Sequence, residues 1–306
     1  MLTIREALEK AAEFLRRKGI ERPRMEAEIL MAHALGLRRL DLYLRLDEAL
    51  DEQQKALCRE ALRRRGEGEP AAYITGQKEF FGLPLEVGPD VLIPRPETEE
   101  LVEIAAAWAE ARFSGSGGDR PAGADRRRMR GDIEFDFFDV GTGSGAIAIA
   151  LLHLFPRARG WASDVSAPAL AVARRNAGAH GVAERLTLLE GREFAGFDGR
   201  VDLVISNPPY VKDGEAELLA PETRRFEPAG ALFAGPRGTE VIEAILAAAP
   251  AVIRPGGRAM LEISPMIAPD LERTADAVVG AASWTFARDS SQKIRFLILD
   301  FPAPTV

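Results

Sequence analysis

Cysteine is nearly absent from this chain of 306 residues: Cys58 stands alone. No intrachain disulfide can form, and no cysteine cluster can hold zinc. Histidine is almost as scarce. His33, His153 and His180 are scattered on alanine-rich stretches of helical character, a setting for structural histidines, and no metal site is read from them. No apolar run approaches the roughly 20 residues that a bilayer-spanning helix needs. The first residues also lack the charged, apolar, small-residue succession of a secretory signal, so the cytoplasm is the default location. An excess of positive charge is missing too. Lys and Arg total 40 against 47 Asp and Glu, a net charge of -7, whereas gripping a nucleic-acid backbone takes clustered positive charge. Neither membrane attachment nor direct nucleic-acid binding is expected, and the chain is expected to be a monomer.

What is present is an ordinary globular composition, 46% hydrophobic and 28% charged, in a chain long enough for a sizeable core. Residues 1–75 read as short amphipathic helices with no strand between them: Thr3–Lys18, Pro23–Leu35, Arg38–Leu44 and Asp51–Arg65. Gly19, Gly36 and the charged turn at Asp47–Asp51 separate them, and Thr3 with Glu6 is spaced as a capping box. A small all-helical domain is predicted. Over residues 76–95, Glu79–Val87 and Val91–Pro94 read as two short strands around Gly88-Pro89-Asp90, a β-hairpin linker. A helix then opens at Pro94-Arg-Pro-Glu-Thr98, with Leu101, Val102, Ala105 and Trp108 inward. Residues 114–132 are too polar and glycine-rich to pack, and with the run Arg126–Arg130 they read as a flexible, solvated insertion.

Beyond Asp132 strands and helices alternate. Strand candidates are Phe135–Val140, Gly160–Val165, Leu186–Glu190, Val201–Ser206 and Gly257–Ile263; helix candidates are Ala146–His153, Pro168–His180, Thr239–Val252 and Pro269–Val279. Such alternation predicts an α/β domain over 96–306, its sheet mainly parallel with helices on both faces. Ser283–Arg288 and Ile294–Phe301 add a terminal antiparallel pair, which makes seven strands.

Three motifs carry chemistry. Phe138-Asp139-Val-Gly141-Thr142-Gly143-Ser144-Gly145-Ala146 closes the first strand of the alternating region. Its glycines let the backbone turn tightly and lie against a ligand at the carboxyl edge of the sheet. Gly141, Gly143 and Ala146 also satisfy the dinucleotide fingerprint, so the loop alone does not choose a cofactor. Asp164, about 20 residues further on, ends the second strand, where a carboxylate can accept from ribose hydroxyls. Both motifs point to an adenosine-containing cofactor without saying which.

The third motif, Asn207-Pro208-Pro209-Tyr210, follows the fourth strand. Consecutive prolines remove two backbone donors and hold the chain extended, so their carbonyls project without local partners. Asn207 adds a side-chain acceptor and Tyr210 a flat face. The set suits a planar NH2 group: two acceptors for its two hydrogens, and a ring against its plane.

With the Gly141–Gly145 loop, this motif resembles the class I, Rossmann-like methyltransferases acting on exocyclic or amide nitrogens. Further strings narrow the resemblance: Pro70-Ala-Ala-Tyr73-Ile-Thr-Gly76, Phe80-Phe-Gly82, Leu92-Ile-Pro94-Arg95-Pro96-Glu97-Thr98-Glu99, and Arg225-Phe-Glu227-Pro228-Ala-Gly-Ala231-Leu232-Phe-Ala-Gly235. They are similar to the peptide chain release factor glutamine methyltransferases, the HemK/PrmC family, over nearly the whole chain. The resemblance implies S-adenosylmethionine as cofactor and methylation of N5 of the glutamine in the Gly-Gly-Gln loop of class I release factors. It implies a helical domain that helps to hold the factor. Gly141, Thr142, Gly143, Ser144, Gly145, Asp164, Glu193 and Asn207 would contact the cofactor. Asn207, Pro208, Pro209 and Tyr210 would bind the glutamine, with Asn207, Pro208 and Tyr210 as the catalytic set. Glu190-Gly-Arg-Glu193-Phe194 stands where relatives carry Asp-Trp or Asp followed by Leu or Phe, which makes Glu193 and Phe194 the candidate adenine contacts. Ile263-Ser-Pro265-Met replaces the glycine and glutamine usual after Glu262.

An amide nitrogen is a poor nucleophile because its lone pair is delocalised into the carbonyl. Accepting both its hydrogens, by Asn207 Oδ1 and the Pro208 carbonyl, raises electron density on nitrogen and aims it. A sulfonium methyl is already activated and asks for neither metal nor strong base. The rival readings are a ribosomal-protein glutamine methyltransferase, disfavoured by the intact Pro94–Thr98 string, and an adenine-N6 methyltransferase, disfavoured by the negative charge. A catalytically inactive translation-factor binding module would be expected to lose Asn207 or the glycines. A dehydrogenase fits least, since nothing after the fourth strand supplies hydride-transfer chemistry.

Overall fold

The computed structural model describes residues 1–114, 131–278 and 280–303. All but the ends of the insertion expected over 114–132 therefore lies outside the described residues. The described residues form two compact units: Met1–Gln77 with Leu219–Phe226, and Lys78–Leu218 with the chain from Glu227 onward.

The first unit is helical: α1 (Ile4–Arg17), α2 (Pro23–Ala34), α3 (Arg39–Leu44), α4 (Glu52–Gly66) and α5 (Ala71–Thr75). Capping sets where helices begin. The Glu6 N–H donates to Thr3 Oγ1 at 3.3 Å and the Thr3 N–H to Glu6 Oε2 at 3.1 Å. Asp51 and Gln54 repeat the exchange at α4. Each reciprocal pair satisfies donors that a helix start leaves orphaned. Leu8 and Leu15 of α1 are fully buried against Leu30 and Met31 of α2. Arg65, 4% exposed, lies at the end of α4 between two carboxylates, Glu26 of α2 and Glu222 at 2.9 Å. An unpaired buried guanidinium would cost several kcal/mol, so Glu222 has a reason to be there. It belongs to a short helix, Pro221–Phe226, which brings the segment Leu219–Phe226 into this unit. Arg225 adds a bond to the Glu67 carbonyl at 2.9 Å.

The second unit opens with a two-stranded hairpin, β1 (Gln77–Phe80) and β2 (Leu83–Glu86). Its turn is Phe81-Gly82, at φ 53 and 78, not the expected Gly88-Pro89-Asp90. Two successive left-handed residues suit a tight hairpin turn. Phe81 tolerates the conformation because its ring is buried and its N–H donates to Glu99 Oε1 at 2.8 Å. Val91–Pro94, expected as a strand, is not one. The Ile93 N–H donates instead to the buried Glu227 carboxylate at 3.1 Å, which also pairs with Arg95.

There follow α6 (Pro96–Phe113), β3 (Asp136–Val140), α7 (Ala146–Leu154), β4 (Arg159–Asp164), α8 (Ala167–Ala179), β5 (Leu186–Glu190), β6 (Val201–Ser206), β7 (Val211–Lys212), the helix Pro221–Phe226 of the first unit (α9), β8 (Phe233–Gly235), α10 (Glu240–Val252), β9 (Ile253–Glu262), α11 (Ala268–Asp276), β10 (Ser283–Arg288) and β11 (Ile294–Asp300). Seven strands form one sheet in the order β10-β11-β9-β6-β3-β4-β5, parallel from β9 to β5, with β11 and β10 antiparallel. Alternation along the strands feeds two cores. Phe137, Leu203 and Ile205 pack with α6 and α7; Phe138, Val204 and Leu261 pack with α10 and α11. The chain runs outward through β4 and β5, then returns to place β6 on the other side of β3. That reversal opens a crevice at the carboxyl ends of the strands.

Candidate active site

Every motif read from the sequence arrives at that edge. Gly141, Gly143 and Gly145 take φ values of 70, 56 and 83. A Cβ on Gly143 would meet nothing within 4 Å, while one on Gly145 would stand 2.9 Å from Ile149 Cδ1. Gly143 thus leaves space for a ligand, and Gly145 lets the loop close onto α7. Ser144 is anchored through its carbonyl, which accepts from Asn176 Nδ2 of α8 at 2.9 Å.

Asp164, at the end of β4, grips this loop. Its Oδ2 accepts the Gly143 N–H and its Oδ1 the Ser166 N–H, each at 2.9 Å. Burial raises its pKa, opposed by these bonds. Below the loop lies Asp139, fully buried, which accepts from the Thr142 hydroxyl at 2.7 Å through Oδ2; Oδ1 has no partner at full hydrogen-bond geometry, and the Ala148 N–H of α7 is the backbone donor that counters its raised pKa. Burial pushes its carboxyl up to about 7. Asp139 stands in the glycine-loop motif, but nothing in the motif itself assigns it a role.

A cavity of about 530 Å³ lies over these residues, within the size range of small-molecule sites. Its walls include Gly141, Thr142, Gly143, Ser144, Asp164, Glu193, Asn207 and Pro209. Glu193 reaches the wall in a left-handed conformation, φ 42, with its carbonyl held by the Ser163 hydroxyl. Gly145, Pro208 and Tyr210, also expected contacts, are not among the residues that line this cavity. Tyr210 is partly buried against the second core, and burial pushes its hydroxyl to about 12, so it is a neutral phenol near neutral pH. Phe194, an expected adenine contact, is 8% exposed, and its ring meets Phe138 edge-on at 5.0 Å. An aromatic ring gains more from that core than from a polar rim.

Asn207 sits just past β6, whose last residue Ser206 donates its hydroxyl to the Val140 carbonyl at 2.6 Å and so ties the two strand ends together. Its side-chain Nδ2 donates to Thr98 Oγ1 at 2.9 Å, and Thr98 donates to Glu262 Oε2 at 2.6 Å. Thr98 is in the first turn of α6 and lines the cavity; Glu262 ends β9, 1% exposed, with its carboxyl raised to about 7 by burial. This chain of contacts is not visible in the sequence, although Thr98 lies in the Pro94–Glu99 string and Glu262 just before Ile263-Ser-Pro265-Met.

Residues 6–76 match the family model described as PrmC N-terminal domain, and residues 127–235 match the Methyltransferase small domain. Release factor glutamine methyltransferase of Rhodopirellula baltica is 41% identical over 268 residues, covering 87% of this chain and 85% of the relative. That of Chlorobaculum tepidum is 43% identical, covering 84% of each. The chain belongs to the release factor glutamine methyltransferase family. It is a methyltransferase, and its methyl donor is S-adenosylmethionine. The fold is shared more widely within methyltransferases: the hMettl16 catalytic domain, solved with an RNA hairpin, superposes with a TM-score of 0.54 at 15% identity, covering 76% of this chain and 80% of that one. Among the described residues no helix is long and apolar enough to cross a membrane.

Proposed function

We propose that this member of the family methylates N5 of the glutamine in the Gly-Gly-Gln loop of class I peptide chain release factors. The observation that carries the reading is Asn207 at the cavity wall, its NH2 end engaged by Thr98 so that the amide oxygen is left for a ligand. The loop 141–145, Asp164 and Glu193 fit an adenosine-bearing donor: Gly143 leaves open space, and each Asp164 oxygen spends one lone pair on the loop and keeps another for a ribose hydroxyl. Bound there, S-adenosylmethionine supplies an electrophilic methyl that no side chain has to activate.

What remains is positioning. Asn207 Oδ1 and the Pro208 carbonyl accept the two hydrogens of the glutamine amide and turn its nitrogen toward the cavity. As the nitrogen gains positive charge, both fixed dipoles bind it more strongly. Pro209 keeps the wall free of a competing backbone donor. Tyr210, packed against the second core, braces the motif, and its ring offers the glutamine amide a flat face. The Tyr210 phenol does not act as a base. The substituted nitrogen loses its proton to water after transfer. The helical unit holds the factor, the enzyme works as a monomer in the cytoplasm where release factors act, and it needs no nucleic-acid contact.

Incubating the full chain with S-adenosylmethionine and a release factor, then mapping the product by peptide mass spectrometry, tests the reading. One added methyl on the Gly-Gly-Gln glutamine is expected. Methyl transfer to another residue, or none, refutes it.

A further inference from the structure

An asparagine amide presents two faces of nearly identical shape and opposite polarity, and only one of them serves the reaction proposed above. With Oδ1 toward the cavity it accepts from the glutamine NH2; turned over, it opposes one donor with another. Something must choose.

Thr98 and Glu262 can make that choice by counting hydrogens. A threonine hydroxyl has one hydrogen and two lone pairs, and a carboxylate has no hydrogen at all. With Glu262 ionised, the 2.6 Å contact between Thr98 Oγ1 and Glu262 Oε2 therefore takes the only hydrogen Thr98 has, in a short charge-assisted bond. Thr98 is left with lone pairs alone to offer Asn207, 2.9 Å away. Only the NH2 end of Asn207 can meet them. Thr98 and Glu262 lie where water cannot substitute readily, 4% and 1% exposed. The polarity is thus set from β9, through the first turn of α6, to the loop after β6. Resting on the glutamine-methylation reading, we infer that Thr98, backed by Glu262, is a positioning residue that fixes the orientation of the Asn207 amide and thereby the acceptor presented to the substrate.

A merely structural Thr98 would behave differently from an orienting one. Thr98→Val keeps the shape and removes the hydroxyl; the expected result is a kcat at least about tenfold lower, the equivalent of one buried polar hydrogen bond, with KM for the release factor little changed. Thr98→Ser should restore most of the rate. The deciding comparison repeats Thr98→Val in an Asn207→Asp background. A carboxylate has two equivalent oxygens and no polarity to set, so the second substitution should then cost almost nothing, a strongly non-additive cycle. The same fold-loss in both backgrounds, or full activity of Thr98→Val, overturns the inference. A readout independent of turnover separates it from the substrate reading. In the free enzyme the Asn207 side-chain NH2 resonances, assigned by their loss in Asn207→Asp, should exchange slowly with solvent, and Thr98→Val should speed that exchange about tenfold or more. Unchanged exchange overturns the role of Thr98 even if a release factor is methylated. Accelerated exchange with no release-factor methylation upholds it and refutes the substrate instead.

Discussion

Replacing Asp164 separates a carboxylate that holds a loop from one that holds a cofactor. In the ligand-free protein Asp164 accepts two backbone N–H groups, from Gly143 and Ser166, each at 2.9 Å. Asp164→Ala loses both, a cost of about 1.5–3 kcal/mol apiece for bonds to a charged acceptor. Against that stands burial, the first cause of its raised pKa, which disfavours the ionised form and is relieved by the substitution. The two effects oppose each other, so the melting temperature of the free protein should fall by only a few degrees. No such offset operates on cofactor affinity. Two ribose hydroxyls lose a charged acceptor together, for a total of at least about 3 kcal/mol, and Kd for S-adenosylmethionine should rise about a hundredfold or more. Asp164→Asn should fall between, because the amide oxygen can serve only one of the two N–H donors while the NH2 opposes the other. Titration calorimetry and thermal melts on the three proteins give both numbers. An unchanged Kd would refute the ribose assignment, and a collapse of the melt with affinity retained would show Asp164 to be a loop clamp alone.

Asn207→Ala should depress kcat about a hundredfold, the scale of losing one oriented transition-state contact, with a much smaller change in KM for the release factor; normal turnover would remove Asn207 from the mechanism. Glu262 predicts a pH effect. Its carboxyl, raised to about 7 by burial, faces Thr98, Arg295, Glu97, Arg95 and Tyr210; below that pH it is protonated, can donate to Thr98 and frees Thr98 to donate toward Asn207. The kcat should therefore fall as pH drops through about 7, and Glu262→Gln should flatten that limb; an acid limb unaltered in Glu262→Gln would refute the link. Asp139 predicts a stability effect. Its folded-state pKa of about 7 against an ordinary 3.8 makes the native state hold a proton that the unfolded chain has released, so stability falls as pH rises from about 4 to about 7 and levels off above. The difference of about three units is worth up to about 4 kcal/mol, and denaturant melts of Asp139→Asn should lose that pH dependence, while an equal slope in both proteins would refute it.

The parallel strands and their helices were legible because short apolar runs ending in glycine-rich or proline-rich turns leave few alternatives. The strand edges at Asp164, Glu190 and Ser206 stand at or within one residue of where the alternation placed them. Local signals failed where a distant partner decided. Gly88-Pro89-Asp90 looks more like a turn than Phe81-Gly82, yet Glu99 captures the Phe81 N–H and Glu227 the Ile93 N–H, which fixes one turn and abolishes the other strand. Leu219–Phe226 follows the motif closely in sequence but folds with the helical unit, drawn by Arg65, which pairs with Glu222 from 157 positions earlier. Phe194 is a candidate adenine contact only through its place in the Glu190–Phe194 stretch; its ring completes an aromatic cluster with Phe138 that no spacing rule describes. Thr98 and Glu262 lie 164 residues apart, and nothing local in either predicts the other.

Two carboxylates buried beside this site share one arrangement. Asp139 stands behind Thr142 and Glu262 behind Thr98, each carboxylate receiving a threonine hydroxyl at 2.7 and 2.6 Å, and each is pushed up to about 7 by burial. Neither is explained by stability, because a raised carboxyl pKa means that ionisation opposes folding. An isosteric amide or an apolar residue would serve a core better. What a buried carboxyl provides, once ionised, is a demand for a hydrogen. It decides which way the hydroxyl in front of it points, and so what the next group along the chain of contacts must be. Behind Thr142 that demand orders the glycine loop; behind Thr98 it orders Asn207. Destabilising groups retained at a site, each with a defined orienting task, are what a reaction governed by placement rather than by acid–base strength requires.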